Sequence, residues 1–179
     1  MDVPPGSPLN AVTDSKTLRR ALGAFATGVT VVTVGGVTAH GMTANSFTPV
    51  SLDPPLVSIC VGRQAIMHAS LKEAGTFAVS VLASDQEDVA RYFADQRRPL
   101  GWEQFDAVDW TRAPHTGAPL VRGALAYFEC EVWRTYDGGD HTIFIGRILS
   151  MSRAVNDEAL LFLYGRFQHL RQDRTEVTT

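Results

Sequence analysis

Short runs of β-branched and apolar residues recur along this chain of 179 residues, and glycine or proline separates them. This spacing predicts a protein built mostly of strands. Residues 29–34 are all Val or Thr, Gly35-Gly36 forms a two-residue turn, and the chain returns from Val37, which predicts a hairpin. Apolar runs predict further strands at 56–61, 76–82 and 160–164.

A long alternating segment predicts the central hairpin. Residues 124–133 alternate between an apolar face and a face that carries Glu129 and Glu131, as in a half-buried strand. The apolar face holds Ala126, Phe128, Cys130 and Val132. The Asp-Gly-Gly-Asp sequence at 137–140 predicts a turn, and 141–149 returns as a second long strand. About seven strands with few helices predict a barrel.

Three helices are predicted beside these strands. The first begins at Asp14, which can cap it, and ends at Gly28. Its apolar residues recur at helical spacing, which predicts that it packs on a sheet: Leu18, Leu22 and Phe25. A short helix is predicted over 65–72, and a capping-box sequence at 84–87 opens another that runs to about Ala94.

Proline and glycine mark the loops and the ends of the domain. Pro49 and the cluster at 53–55 bracket a loop. Residues 96–118 have no clear period and predict a long loop that covers a ligand or clasps a partner subunit. The chain divides into a flexible arm, one domain and a flexible tail, at 1–13, 14–170 and 171–179.

Composition and charge narrow the class of protein. A hydrophobic content of 45% with 20% charged residues is ordinary for a globular domain, and a net charge of −3 disfavours nucleic-acid binding. The uncharged run 21–52 is interrupted too often by polar residues for a membrane-spanning helix, and no signal peptide is recognised. Cys60 and Cys130 favour a cytoplasmic protein with reduced thiols, with a disulfide between them as the less favoured alternative.

The uncharged run contains a candidate binding segment at 41–51, which is rich in hydroxyl groups. A buried hydroxyl or amide without a partner costs roughly 1–3 kcal/mol. A flavin mononucleotide, with a ring edge and a phosphate, would satisfy Thr43, Asn45, Ser46 and Ser51. The alternative is a pair of Thr-rich strands whose hydroxyls face water or bond locally.

Motifs of several other enzyme classes are missing from the sequence. It lacks the glycine fingerprint for dinucleotides, the phosphate-binding loop, the paired-histidine zinc motif and the nucleophile elbow. The five histidines have no ligand spacing, so no metal site is predicted.

Several blocks, in order, resemble the short-chain flavin reductases of two-component monooxygenases, over roughly residues 17–170. The blocks are 24–33 (AFATGVTVVT), 41–47 (GMTANSF), 51–57 (SLDPPLV), 75–82 (GTFAVSVL), 139–141 (GDH) and 164–167 (YGRF). The resemblance implies a mainly β, FMN-binding split β-barrel of Greek-key type with a few flanking helices. It also implies a homodimer that takes hydride from NADH to FAD or FMN and releases reduced flavin to a separate monooxygenase.

The resemblance also implies which residues bind the flavin. Residues 43–46 would contact the isoalloxazine edge, with Ala44 allowing close approach and Asn45 as the main contact. The remaining cofactor-binding candidates are Thr27, Gly28, Thr30, Thr43, Ser46, Ser51, Cys60, Val61, Arg63, Arg91, Tyr164, Arg166 and Phe167. Arg63 and Arg91 offer forked donors for the phosphate, and the alternative for each is a solvated surface charge. Residues 64–66 (QAI) replace the small hydroxyl residues often found there, so phosphate binding at that point would rest on backbone N–H groups.

His141 is the catalytic candidate, because the resemblance places it beside the nicotinamide. The alternative is a structural histidine on a strand. Arg166 and Phe167 would close over the ring on the same side, or Phe167 would be a core residue. No acid or base is required, since the cofactors carry the chemistry.

Three functions remain open at this point. The first is an NADH-dependent flavin reductase that treats flavin as a substrate. The second is a flavoprotein oxidase that holds FMN tightly, and the third is a non-catalytic flavin-binding protein. The sequence does not separate FAD from FMN, and NADH is preferred over NADPH only through the resemblance.

Overall fold

The structure is a computed structural model that describes residues 14–37, 39–154 and 158–170. The predicted arm at 1–13 and the predicted tail at 171–179 lie outside these residues. Across the described ranges, no helix has the length and apolar character needed to cross a membrane.

The elements within these ranges are three α-helices and mostly short strands. The helices are α1 (Ser15–Leu22), α2 (Ile66–Ala74) and α3 (Glu87–Ala94). The strands are β1 (Thr27–Gly28), β2 (Thr30–Val34), β3 (His40–Ala44), β4 (Thr48–Leu52), β5 (Pro55–Gly62), β6 (Thr76–Val81), β7 (Trp110–Arg112), β8 (Pro119–Val121), β9 (Ala126–Gly138), β10 (His141–Arg153), β11 (Leu161–Leu163) and β12 (Arg166–Gln168).

A seven-stranded antiparallel sheet forms the body of the domain, in the order β3-β2-β6-β9-β10-β5-β4. Residues from strands near opposite ends of this sheet, such as Ala44 and Val57, share one buried cluster with Met67 and Leu71 of α2. The sheet therefore curls around a core. Its two edge strands, β3 and β4, follow one another in the chain and are not hydrogen-bonded to each other, so the barrel is split. The predicted mainly β split barrel is confirmed.

Helix α3 packs directly on β3. A Cβ added at Gly41 would lie 2.6 Å from the Phe93 ring, so only glycine lets this ring rest on the strand. Phe93 belongs to a second buried cluster with Phe105 and Val31. The contact fixes the distance between α3 and the sheet beside the end of β3.

Helix α1 differs from its prediction in two respects. Asp14 caps it as expected and accepts a hydrogen bond from the Thr17 N–H, but the helix ends at Leu22 with Gly23 as its cap, and Gly28 lies in β1. None of its residues is buried, and Phe25 just beyond it is 78% exposed. The expected packing on the sheet is therefore wrong for the isolated chain, because periodicity shows an apolar face but not what covers it.

Two predicted loops contain regular structure. Residues 48–52 form an edge strand, where Pro49 is tolerated because the outward side of an edge needs no N–H donor. Residues 96–118 include a 3₁₀ turn at Gly101–Phe105 and the strand β7, which pairs with β8.

The expected capping box at 84–87 is also replaced. A 3₁₀ turn at Ser84–Gln86 precedes α3, and the Gln86 side chain accepts from the Ala83 N–H at 3.0 Å. Glu87 pairs with Arg91 instead of capping the helix.

Glu129 lies at a position that alternation assigned to the outward face of β9, yet only 3% of it is exposed. Its carboxylate accepts hydrogen bonds from the His115 and Thr116 N–H groups at 2.8 and 2.7 Å and from the Ser150 hydroxyl at 2.7 Å. The segment between β7 and β8 therefore closes over this side chain. Burial also raises the pKa of the adjacent Cys130 thiol to about 12, and the Glu129 charge acts in the same direction.

Candidate functional site

The end of β3 and the residues after it are tied to neighbouring elements on both sides. The Thr43 hydroxyl donates to the Ala90 carbonyl of α3 at 2.6 Å. The Ser46 hydroxyl donates to the carbonyl of Cys60 in β5 and accepts from its N–H, both at 3.0 Å. Residues 43–46 are thus held between α3 and the opposite part of the sheet.

These bonds decide which groups of the segment can face a ligand. The hydroxyl protons of Thr43 and Ser46 are used within the fold, as is that of Thr30, which is 2% exposed and donates to the Ala44 carbonyl at 2.8 Å. The alternative interpretation, in which the hydroxyls of this segment bond within the fold and not to a ligand, therefore holds for these three donors. The exposed amide of Asn45 remains available.

A cavity of about 190 Å³ lies against Asn45 and Thr43. Its other walls are apolar: Val29, Ala94, Phe162 and Phe167. The rings of Phe162 and Phe167 meet edge to face with 5.4 Å between their centres. The Arg91 guanidinium lies over the Phe167 ring, 4.9 Å from its centre.

A larger cavity of about 430 Å³ shares Thr43 and Ala94 with the first, so the two adjoin. It lies between β3, the start of α2 and the segment that follows α3. Its remaining lining residues are His40, Met42, Gln64, Ala65, Ile66, Met67, Phe93, Gln96, Arg98 and Leu100. Together the cavities form a space with one narrow apolar part and one wider, more polar part.

Other predicted residues meet at the end of the β5 and β10 pair. His141 is opposite Gly62 in the ladder, and its Nδ1 lies 2.7 Å from the Asp140 carboxylate. This hydrogen bond and the imidazole charge hold the pKa of Asp140 below its usual value. Arg63 donates to the Gly139 carbonyl at 2.9 Å and pairs with Asp137 at 2.9 Å.

Comparison with known proteins decides the family. Residues 22–171 match the family described as "Flavin reductase like domain". The chain belongs to this family. It is 53% identical over 163 residues to an NADH-dependent FAD reductase of Streptomyces globisporus, covering 91% of this chain and 90% of the relative.

Solved structures of the flavin reductase family share the fold. The NADH:FAD oxidoreductase of Streptomyces globisporus, solved in complex with NAD and FAD fragments, superposes with a TM-score of 0.88 at 52% identity, over 94% of this chain and 99% of that one. BorF, the flavin reductase component of a bacterial two-component tryptophan halogenase, gives a TM-score of 0.85 at 57% identity, over 88% and 98% of the two chains. The predicted family is confirmed.

Within this flavin reductase domain, the predicted residues fall into two groups. Thr43, Asn45, Arg91 and Phe167 are at the smaller cavity. Cys60, Val61, Arg63 and His141 are on the β5 and β10 pair, where Cys60 is opposite Ile143 and Val61 is opposite Thr142. The two groups are linked by the bonds between Ser46 and Cys60.

The remaining predicted residues flank these groups. Thr27 and Gly28 form β1, which pairs with β11, and the enclosed Thr27 hydroxyl has no hydrogen-bond partner among the described residues. Tyr164 is 68% exposed, with φ at +51°, in the turn before β12, and its N–H donates to the Gly23 carbonyl at 2.7 Å. Arg166 is exposed on β12, and Ser51 is half-buried on the edge strand β4.

Sequence reasoning missed His40 and Arg98, which both line the larger cavity. His40 is 5% exposed, and burial, followed by the charge of Arg98, lowers its pKa to about 4. An arginine in an irregular segment is usually a solvated charge, so no local pattern indicated Arg98. Only the fold brings it against β3.

The residues present fit a flavin nucleotide. Apolar walls with the Asn45 amide at one edge suit a flat ring that has polar atoms along one side. The adjoining cavity offers amides and a guanidinium for a polar, anionic tail. The chemistry of these donors matches a ring joined to a phosphate.

Proposed function

We propose that the chain is an NADH-dependent flavin reductase that takes hydride from NADH to FAD or FMN and releases the reduced flavin to a partner monooxygenase. The observation that carries this proposal is the similarity to an NADH-dependent FAD reductase over nine-tenths of both chains. The adjoining cavities beside Asn45 support it, since they match a flavin in shape and donor chemistry.

A bound flavin supplies the hydride acceptor, and the protein contributes alignment. Asn45 would bond the polar edge of the ring, while Phe162 and Phe167 would cover an apolar part of it. His141 and Arg166 would border the nicotinamide. Bringing the two reacting atoms to about 3–3.5 Å is the main catalytic task, because proximity alone can lower the barrier by several kcal/mol.

The proposed enzyme is a homodimer. Leu22 is 65% exposed and Phe25 is 78% exposed, so the apolar face of α1 has no cover in the described part of one chain. The paired strands β9 and β10 also expose Trp133 and Met151, at 40% and 68%. Exposed apolar surface of this extent is typical of an interaction site, and a second copy is the proposed cover.

We also propose a cytoplasmic location, where the pyridine nucleotide would be available. The thiol state of Cys60 and Cys130 supports this, since the two residues do not form a disulfide. The partner would be a flavin-dependent oxygenase or halogenase, the class served by the relatives.

Oxidation of NADH and NADPH by the purified protein, with FAD, FMN and riboflavin added in turn, tests the proposal. Turnover that requires added flavin would establish a reductase that uses flavin as a substrate, and the six combinations would name both cofactors. Flavin that co-purifies and is reoxidised in place would favour an oxidase. Flavin binding without NADH oxidation would contradict the proposal and leave a binding protein.

A further inference from the structure

A third cavity, which we call the α2 pocket, lies between α2 and the end of the β9 and β10 hairpin. It has a volume of about 210 Å³ and shares no lining residue with the two cavities of the candidate site. This volume is below the usual range for pockets that hold drug-sized ligands. The α2 pocket therefore suits a small molecule and not a whole dinucleotide.

The residues of the α2 pocket come from one face of the helix and one face of the sheet. His68 and Lys72 are four residues apart in α2 and so share a face. Asp137 and Thr142 are directly opposite in the ladder of β9 and β10, so they share a face of the sheet. Nε2 of His68 lies 2.9 Å from the Thr142 hydroxyl, and the His68 ring meets that of the buried Phe144 edge to face, with 5.6 Å between centres. The imidazole is therefore fixed within the pocket.

The charge in the α2 pocket is mostly positive. Arg63 and Lys72 are cations, and Asp137 is the single acidic residue among the described residues that line the pocket. Lys72 forms no ion pair within the described ranges. Burial, followed by the charges of Lys72 and Arg63, lowers the pKa of His68, so both cations act on the imidazole. A forked guanidinium beside a second cation suits a phosphate group.

Asp137 is a weak competitor for Arg63. The two groups are 2.9 Å apart, but their side chains are 44% and 78% exposed, and an ion pair this open to water adds little stability. A phosphate that meets Arg63 and Lys72 together would bring more negative charge to two cations than Asp137 brings to one. It would therefore draw Arg63 away from Asp137.

Arg63 also holds the turn that leads to His141. Its Nε donates to the Gly139 carbonyl at 2.9 Å, and its backbone N–H donates to the Asp140 carbonyl at 3.0 Å. The Gly139 N–H in turn donates to the Asp137 carboxylate at 2.8 Å. A change in the pairing of Arg63 with Asp137 would therefore alter the turn that positions His141.

We infer that the α2 pocket binds a small phosphorylated anion through Arg63 and Lys72, and that binding weakens the hold of Arg63 on the turn before His141. The pocket would be an effector site, separate from flavin and NADH. His141 and Thr142 are neighbours in β10 and point to opposite faces of the strand, so the pocket lies on the face away from His141. Binding of the anion is independent of the proposed function, whereas its effect through His141 rests on it.

The binding test measures the dissociation constant of inorganic phosphate by ³¹P NMR titration at constant ionic strength, without flavin or NADH. Lys72→Gln removes one cation of the pocket. Lys16→Gln is the matched control, because Lys16 is exposed on α1 and these are the two lysines of the sequence. We expect Lys72→Gln to weaken phosphate binding about three- to tenfold, as for one lost charge-assisted contact, and Lys16→Gln to stay within about twofold of the wild type. Equal constants for the two variants, or no saturable binding by the wild type, would overturn the site.

The imidazole of His68 gives a second readout, which general attraction of phosphate to the protein would not move. Bound phosphate should raise the pKa of His68, because it places an anion where two cations now lower that value. NMR of the histidine rings measures this, and His68→Gln assigns the signal. His115, which lines none of the three cavities, is the comparison. A His68 signal that does not respond to phosphate would exclude the pocket.

Steady-state kinetics tests the link to His141. At saturating flavin, phosphate should raise the KM for NADH about fivefold over chloride at the same ionic strength, which is the lower end of typical coupling between two sites. The rise should be smaller in Lys72→Gln. Bound phosphate with an unchanged KM would overturn the link to the turn.

ADP-ribose, the part of NADH that lacks the nicotinamide, tests the other source of a phosphate group. It should leave phosphate bound in the α2 pocket, since the pocket is small and lies on the face away from His141. Displacement of phosphate by ADP-ribose would overturn the effector site and assign the pocket to the pyridine nucleotide. Where the wild type fails to oxidise NADH, the phosphate titration and the His68 signal still decide whether the site exists.

Discussion

The Ser46 hydroxyl bridges the candidate flavin segment to the other half of the barrel through Cys60, with which it makes two hydrogen bonds of 3.0 Å. One bond satisfies the backbone N–H of Cys60 in β5 and the other its carbonyl. A single small side chain therefore makes the two hydrogen bonds that a neighbouring strand would otherwise make with this residue. The loop that carries Asn45 takes its shape from this bridge. Its removal should therefore affect both the fold and the ligand.

Replacing Ser46 by alanine should lower the free energy of unfolding by about 1–3 kcal/mol, because the half-buried Cys60 N–H loses its partner. Flavin affinity should fall as well, since the loop loosens. Urea denaturation and flavin titration measure the two effects. Ser51→Ala, on the edge strand β4, serves as the stability control. Unchanged unfolding in Ser46→Ala would show that the bridge is dispensable.

Replacing Asn45 by alanine should act on the ligand alone. The side chain is exposed, so stability should change by less than about 0.5 kcal/mol. The dissociation constant of the flavin should rise about five- to tenfold, as expected for one neutral hydrogen bond. Thr48→Ala, at an exposed position of β4 outside both cavities, should leave binding unaltered. An Asn45 variant that binds flavin normally would exclude the amide as a contact.

Replacing His141 by alanine should raise the KM for NADH or lower kcat while flavin still binds. The side chain is about half exposed and bonds only Asp140 among the described residues, so the fold does not depend on it. Steady-state kinetics at saturating flavin, beside a flavin titration, separates the two steps. His115→Ala is the control, because its side chain is exposed and its backbone contacts Glu129, which is opposite Ser150 at the other end of β10 from His141. Loss of flavin binding with normal kinetics at saturation would contradict the nicotinamide role.

Replacing Glu129 by glutamine should destabilise the domain by about 1–3 kcal/mol at neutral pH, because the carboxylate anchors the segment between β7 and β8. Burial alone opposes ionisation of Glu129, but bonds from Ser150, Thr116 and His115 outweigh it and leave its pKa below the usual value. A depressed pKa gives stability that is present above the unfolded-state pKa and is lost as the pH falls through the folded-state value.

The pH dependence of the Glu129 variant is the sharper measurement. The difference in unfolding free energy between the wild type and Glu129→Gln should shrink as the pH is lowered through the acid range. Glu103→Gln, at an exposed position, provides the comparison for a general loss of negative charge. A difference that stays constant from neutral to acid pH would contradict a stabilising carboxylate.

Replacing Phe25 by glutamate should dissociate the proposed homodimer. The ring is 78% exposed in one chain, and a charge in an apolar interface would be desolvated without a partner. Light scattering coupled to size exclusion gives the mass directly. Val37→Glu changes a residue that is 97% exposed in a turn and should leave the mass unaltered. A Phe25→Glu protein with the wild-type mass would place the interface elsewhere.

The parts of the fold that follow from local patterns could be predicted. The antiparallel pairing of β2 and β3 follows from a Val- and Thr-rich run before a pair of glycines. The predicted two-residue turn is wrong, because Val34 is opposite His40 and β3 begins only at His40, so the connection is longer than Gly35-Gly36. Glu129 could not be predicted as buried, because the cover comes from His115 and Thr116, which reach β9 only in three dimensions. Burial of the apolar face of α1 could not be predicted either, because nothing among the described residues covers it.

The candidate site also has one part that the sequence predicts and one part that it does not. Asn45 and its neighbours could be proposed because the hydroxyl-rich segment is continuous in the sequence. The space beside them depends on Ala94 and Arg98, which approach β3 only when α3 packs on Gly41. Helix position is a property of the whole core, and no window of residues encodes it.

The contact of Gly41 with the Phe93 ring identifies a position from which the ligand space could be redesigned. Phe93 is followed directly by Ala94, the residue common to both cavities, so the gap between helix and sheet also sets the width of the ligand space. A methyl group at residue 41 would clash with the Phe93 ring and push α3 away from the sheet. Residue 41 is therefore the position at which the ligand space could be widened for bulkier artificial flavins without replacing any residue that lines either cavity.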